Sequence, residues 1–265
     1  MPLTLHSLPN LKFLVKIDLE GMSRAPRLGR NPWDGYFRGC ALQYANLAQI
    51  CYADPVFADA LRLANQRSIV TPQNLMNLFV LIKFYLPAIP HGHIVEYGSY
   101  KGGSAMFMAA IAKALLPGVR VFAFDTFVGM PTTDRDIELH RSGDFADASL
   151  AEIRAAAAAA GLDNLAFIQG TFEQTAAKAL QTIGPVALTH IDCDIRSAIC
   201  CAYDATKPHM VPGSYIAFDD PLVSSCLGAF EAVEELLIRR DGLHAEQVSP
   251  HLVFRFPPLP SGSAE

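Results

Sequence analysis

What the 265-residue sequence lacks narrows the field first. No run of lysine or arginine stands out, and the formal net charge is −5. A general nucleic-acid surface needs concentrated positive charge against phosphates, so nucleic acid is set aside as a partner. No apolar run reaches the roughly 18 residues needed to span a bilayer, which sets a membrane partner aside as well. The opening Met1-Pro2-Leu3-Thr4-Leu5-His6 lacks the basic and apolar regions of a signal peptide, so a cytoplasmic location is expected. Charged residues are scarce at 18% against 51% hydrophobic ones, which argues for a well-filled core and against disorder. Cysteine pairs at metal-ligand spacing are missing as well. Cys40, Cys51, Cys193, Cys200, Cys201 and Cys226 form no Cys-x-x-Cys and read as small apolar residues in a reduced compartment.

What is present falls into two textures. Residues 1–90 show helical periodicity without a strong strand. Leu42, Ala45, Leu47, Ile50 and Cys51 suggest one helix. Leu75, Leu78, Phe79, Ile82 and Tyr85 suggest another, starting after Thr71-Pro72 and ending at Pro87. Gly21 to Asp34 reads as a loop. From about residue 93, short apolar runs at Ile94–Tyr97, Val119–Phe124, Leu165–Gln169, Val186–Ile191 and Tyr215–Phe218 alternate with helical stretches. Those stretches begin near Gly102, Asp147, Phe172, Ser197 and Ser224. The alternation predicts βαβ units, hence a Rossmann-like, doubly wound, mostly parallel α/β sheet. His244–Val248 and His251–Phe256 add an antiparallel hairpin at one sheet edge. The expected organisation is an N-terminal helical extension or lid over 1–90, a main domain over 91–258 and a tail over 259–265.

In such sheets ligands bind beyond the carboxyl ends of the strands. Glu96 ends the first strand. Gly98, Ser99, Tyr100 and Gly102 follow in a tight turn, and Ser104 opens a helix whose free N–H groups suit a carboxylate. The glycine spacing is neither that of a dinucleotide fold nor that of a P-loop. Asp125, at the end of the second strand with Thr126 and Phe127, can accept both hydroxyls of a ribose. Gly170, Thr171 and Phe172 end the third, where an adenine would meet backbone and a ring. Carboxylate, ribose and adenine together describe S-adenosylmethionine.

The pattern Glu96-x-Gly98-x-x-x-Gly102-Gly103-Ser104, followed by Asp125-Thr126-Phe127-x-Gly129-Met130-Pro131, resembles the macrocin O-methyltransferase family. So do Arg67-Ser68-Ile69-Val70-Thr71-Pro72, His190-Ile191-Asp192-Cys193-Asp194 and Ala217-Phe218-Asp219-Asp220. The resemblance covers roughly residues 65–240. It implies methyl transfer to a hydroxyl of a sugar or natural product, with Mg²⁺ at Asp192, Asp219 and Asp220. The chain departs from the family at Arg196, where a tyrosine is usual, and at Pro221.

The acids are legible without the resemblance. Asp192 and Asp194 close the fourth strand, while Asp219 and Asp220 close the fifth. Like charges gathered at neighbouring strand ends need a cation or retained protons, and Mg²⁺ takes oxygen ligands. Arg196 could offset these acids instead. Asp192 is the expected ligand and proton acceptor, and His140, in a long polar connection from Val128 to Ala148, is the rival base. Three functional readings stay open: metal-assisted O-methylation of a small hydroxylated molecule, the same transfer without metal using His140 or Asp192, and a nicotinamide-dependent oxidoreductase. Trp33, Tyr36 and Phe37 could line an acceptor pocket or pack a dimer contact. The apolar N-terminal helices are expected to cover the acceptor or to build a homodimer.

Overall fold

The computed structural model describes residues 47–256 apart from Gln66, Pro90, Arg135 and Ser224. The loop at 21–34, Trp33 with Tyr36 and Phe37, Cys40, the expected helix start at Leu42 and the tail lie outside the described residues. The chain divides into two units, Met1–Ala53 and Asp54–Glu265. The first contains helix α1 (Leu47–Ala53).

In the second unit, α2 (Pro55–Ala64) and α3 (Pro72–Val80) precede the sheet. Each starts on the signal its sequence carries, a capping side chain followed by proline. The Asp54 carboxylate accepts from the Val56 N–H at 2.9 Å, and the Thr71 hydroxyl accepts from the Asn74 N–H at 3.2 Å. The helix expected to reach Pro87 runs on past α3 as a π-helical turn (Leu81–Tyr85) and a 3₁₀ turn (Leu86–Ala88). The two units meet at 53/54, so α2 and α3 belong to the same unit as the sheet. Phe57 explains why these helices stay with the sheet. It is fully buried and meets Phe79 and, on the helix that follows the first strand of the sheet, Phe107 edge to face at 5.2 and 5.6 Å.

The strands are β1 (His93–Tyr97), β2 (Val121–Asp125), β3 (Leu165–Gln169), β4 (Val186–Ile191), β5 (Met210–Phe218), β6 (Ala245–Gln247) and β7 (Leu252–Phe256). Their spatial order is β3-β2-β1-β4-β5-β7-β6. The first five are parallel, and β7 runs antiparallel to both β5 and β6. The expected edge hairpin is present. The helices are α4 (Gly103–Leu115), α5 (Leu150–Ala159), α6 (Phe172–Ile183), α7 (Arg196–Thr206) and α8 (Leu227–Ala232), the last continuing as π-helix through Val233–Arg240. Order reverses between β1, followed by β2, and β4. Ligand crevices open at such a switch point, above the carboxyl ends of the strands.

Candidate functional site

A cavity of about 300 Å³ lies above those strand ends. Gly98, Ser99, Tyr100 and Ser104 line it from the first loop, Asp125 and Thr126 from the second, and Thr171 and Phe172 from the third. Asp192, Asp219, Asp220 and His140 complete the predicted residues on its wall.

The first loop is fixed by a close approach. Gly98 has φ +85°, and a Cβ there would sit 1.6 Å from the Asp192 carbonyl oxygen. Glycine is required because the ends of the paired strands β1 and β4 pass so close together, beyond any need to admit a ligand. Gly103 plays a related part: a Cβ would come within 2.5 Å of the Ser68 nitrogen, so the Arg67–Ser68 segment rests on the first turn of α4. Asp125 ties the loops together. Its Oδ2 accepts from the Ser99 and Tyr100 N–H groups at 2.7 and 2.8 Å, and its Oδ1 accepts from the Phe127 N–H at 2.7 Å.

Four predicted residues do not reach the cavity wall. Glu96 is fully buried beneath the loop, where it accepts from the Ser99 hydroxyl at 2.6 Å and meets His190 Nδ1 at 3.1 Å. Gly102 holds the left-handed turn before α4 at φ +75°. Phe127 is buried edge-on to Phe167 at 5.9 Å. The Gly170 N–H donates to the Asp125 carbonyl at 3.0 Å.

The acids converge. Asp192, Asp219 and Asp220 each bring a carboxylate oxygen within 4.8 Å of the others. Burial, then the charges of Asp219 and Asp220, push the Asp192 carboxyl well above the usual carboxylate range. Asp220 is raised likewise by burial and by Asp194 and Asp219. Burial would raise Asp219 too, but a hydrogen bond and charge from His251, the charge of His190 and the Asn74 amide hold it low. Arg196 does not offset the cluster: its guanidinium pairs with Glu235 and its N–H donates to Glu138 at 2.7 Å. Among the described residues, Arg67 is the only lysine or arginine lining the cavity.

Asp194 is the residue that sequence reasoning undervalued. It does not cap α7, whose N-cap is Ile195. Its φ of +61° turns it into the cavity. There its carboxylate meets His140 Nε2 at 3.3 Å and Cys226 Sγ at 3.6 Å, and its N–H donates to Asp220 at 2.8 Å. The Asp-x-Asp spacing was the available signal, but the left-handed turn between the two acids was not. Met130, Pro131 and Phe145 from the Val128–Ala148 connection also line the cavity. That stretch is held down by Glu138, only 3% exposed, whose two oxygens accept from the Asp134 and Arg196 N–H groups, each at 2.7 Å.

Strand order and cavity position define the Rossmann-like methyltransferase fold. The O-methyltransferase NovP shares it at a TM-score of 0.64 and 22% identity, over 79% of this chain and 94% of that one. Within that fold, the chain belongs to the macrocin-O-methyltransferase (TylF) family, whose profile matches residues 66–240. It is 29% identical over 167 residues to the 8-demethyl-8-(2,3-dimethoxy-alpha-L-rhamnosyl)-tetracenomycin-C 4'-O-methyltransferase of Streptomyces olivaceus. It is 28% identical over 156 residues to the mycinamicin III 3''-O-methyltransferase of Micromonospora griseorubida. These alignments take in 59% and 54% of this chain, and 63% and 59% of the two relatives.

Proposed function

We propose that the protein is an S-adenosylmethionine-dependent O-methyltransferase that acts, with Mg²⁺, on a hydroxyl of a small molecule such as a sugar-bearing natural product. One observation carries this reading: a single cavity gathers the glycine loop, Asp125 and the acidic strand ends. Family membership and relatives named as sugar 4'-O- and 3''-O-methyltransferases support it. S-adenosylmethionine supplies an activated methyl group on a good leaving group. The chain's own work is to align the acceptor oxygen with that methyl and to take its proton. Gly98 to Ser104 hold the amino-acid end of the cofactor at the start of α4, and Asp125 faces the ribose. Thr171 and Phe172 bound the adenine.

The donor set fits Mg²⁺. It is all oxygen, half-buried to buried, and without a lysine or arginine partner among the described residues. Asp192, Asp219 and Asp220 would hold the ion, which when bound would lower the pKa of the acceptor hydroxyl. Asp192 is the carboxylate placed to take the acceptor's proton. A metal-free version gains support from the 3.3 Å approach of His140 to Asp194, an oriented base facing the cavity. Removing divalent ions with a chelator separates the two. Lost methyl transfer that Mg²⁺ restores supports the metal reading, and full activity in chelator supports His140. Calorimetry with S-adenosylmethionine, NAD(H) and NADP(H) tests the class itself, since binding of a nicotinamide cofactor alone would sink it. A homodimer in the cytoplasm completes the proposal. Exposed Phe84 and Tyr85 and the absence of a disulfide among the described cysteines support it, and sedimentation velocity checks the dimer.

A further inference from the structure

Beneath the acidic cluster lies a second polar group that the proposed function does not use. His190 and His251 are both fully buried, and their rings meet edge to face at 5.3 Å. One ligand-capable atom from each of them and from Asp219 lies within 4.8 Å of the other two. His190 Nδ1 faces Glu96 Oε1 at 3.1 Å, so that nitrogen carries the proton toward a carboxylate. His190 Nε2 is left buried with no partner. A buried lone pair in that position is destabilising unless something meets it. His251 Nε2 lies 3.0 Å from Asp219 Oδ1, and its Nδ1 lies 3.0 Å from the Asn77 side-chain amide.

We propose that His190, His251 and Asp219 form a second cation site, suited to a borderline transition ion such as Zn²⁺. Metal-binding histidines hold their outer nitrogen against a carboxylate or an amide oxygen, which fixes the tautomer. Glu96 does this for His190. Asn77 does it for His251 once its amide presents oxygen; the His251 proton then moves from Nε2 to Nδ1, and none leaves the ring. Two imidazoles and one carboxylate suit Zn²⁺ better than Mg²⁺, which prefers oxygen alone. The site shares Asp219 with the acidic cluster but otherwise stands on separate residues. Glu96 also holds Ser99, so the cation would brace the glycine loop from below.

The test uses the full chain, stripped of metal by dialysis and titrated calorimetrically with Zn²⁺ in excess Mg²⁺. The same protein, crystallised and soaked in Zn²⁺, is examined by anomalous scattering. The expected peak lies among His190, His251 and Asp219. His251→Gln should weaken Zn²⁺ binding by more than about 10-fold, and Asp220→Asn by less than about 3-fold. S-adenosylhomocysteine affinity reports whether His251→Gln still folds; if it does not, the wild-type map decides. A peak confined to Asp192 and Asp220, no bound zinc, or a folded His251→Gln protein that binds zinc unchanged overturns the proposal. The Mg²⁺ dependence of methyl transfer is read separately, so either site can fail alone.

Discussion

A methyl group added at residue 98 would collide with the Asp192 carbonyl at 1.6 Å, in a backbone conformation that side chains already avoid. Gly98→Ala should therefore cost about 3 kcal/mol or more, read by urea unfolding. Gly161 makes the control, because it has φ +69° and open space around its absent Cβ. Gly161→Ala should cost only about 1–2 kcal/mol of backbone strain. Equal losses at the two sites would remove the close-approach argument. Asp192→Asn should abolish methyl transfer while leaving S-adenosylhomocysteine affinity within about 3-fold, because the change lies beyond the glycine loop. Surviving turnover would exclude Asp192 as base. At this scale the sequence pointed at Gly98 and Asp125 but for half of their reasons. Glycine loops suggest ligand approach, whereas here glycine also lets the chain leaving β1 pass close to that leaving β4. Asp125 suggests a ribose, yet it also ties two loops together through backbone N–H groups. Arg67 and Asp194 were named but given no part in the site, because a distant segment places the one on the cavity wall and a left-handed turn the other.

At the scale of elements, the connection between β2 and α5 behaves as a latched cover. Glu138 accepts from the N–H that opens α7, where the helix dipole favours a negative group. Gly228 of α8 leaves room for it, since a Cβ there would lie 2.9 Å from Glu138 Oε1. Glu138→Ala removes two part-buried hydrogen bonds, a loss of about 1–3 kcal/mol on the closed cover. The expected result is faster proteolysis within 128–148 and a raised KM for the acceptor, with little change for the cofactor. Gly228→Ala should act in the same direction by pushing on the latch. An unchanged digestion pattern in both variants would show that the cover is held elsewhere. The sequence marked this stretch as a binding loop through its length and its polar density. It could not show Glu138 as the latch, since Arg196 lies 58 residues away and only the fold brings the two together. Strand β5 is longer than the expected Tyr215–Phe218, since it starts at Met210.

For the whole molecule, the acidic strand ends set how stability responds to pH and to cations. Without a cation, burial and the neighbouring acids raise Asp192 and Asp220 above their unfolded values. Such a group stabilises the fold fully below its unfolded pKa, near 4, and that contribution is lost as pH rises through the folded value. Asp241 has the opposite sign. Burial would raise it, but Arg240, Lys207 and Tyr203 hold it down at about 2, so its contribution is lost only as pH falls from about 4 toward 2. The chelated protein should therefore melt at progressively lower temperature as pH rises from about 5 to 8. Mg²⁺ held by these acids would bind their ionised forms, so its stabilising effect should grow across the same range. At 100 times its dissociation constant, it would add about 2.7 kcal/mol, or roughly 5–10 °C for a unit of this size. Asp192→Asn removes one of the raised carboxyls, so both the pH slope and the Mg²⁺ response should flatten. Thermal midpoints measured at each pH with chelator or Mg²⁺ read both quantities on one protein. A Mg²⁺ shift that stays constant with pH, or that persists in Asp192→Asn, would place the ion away from these acids.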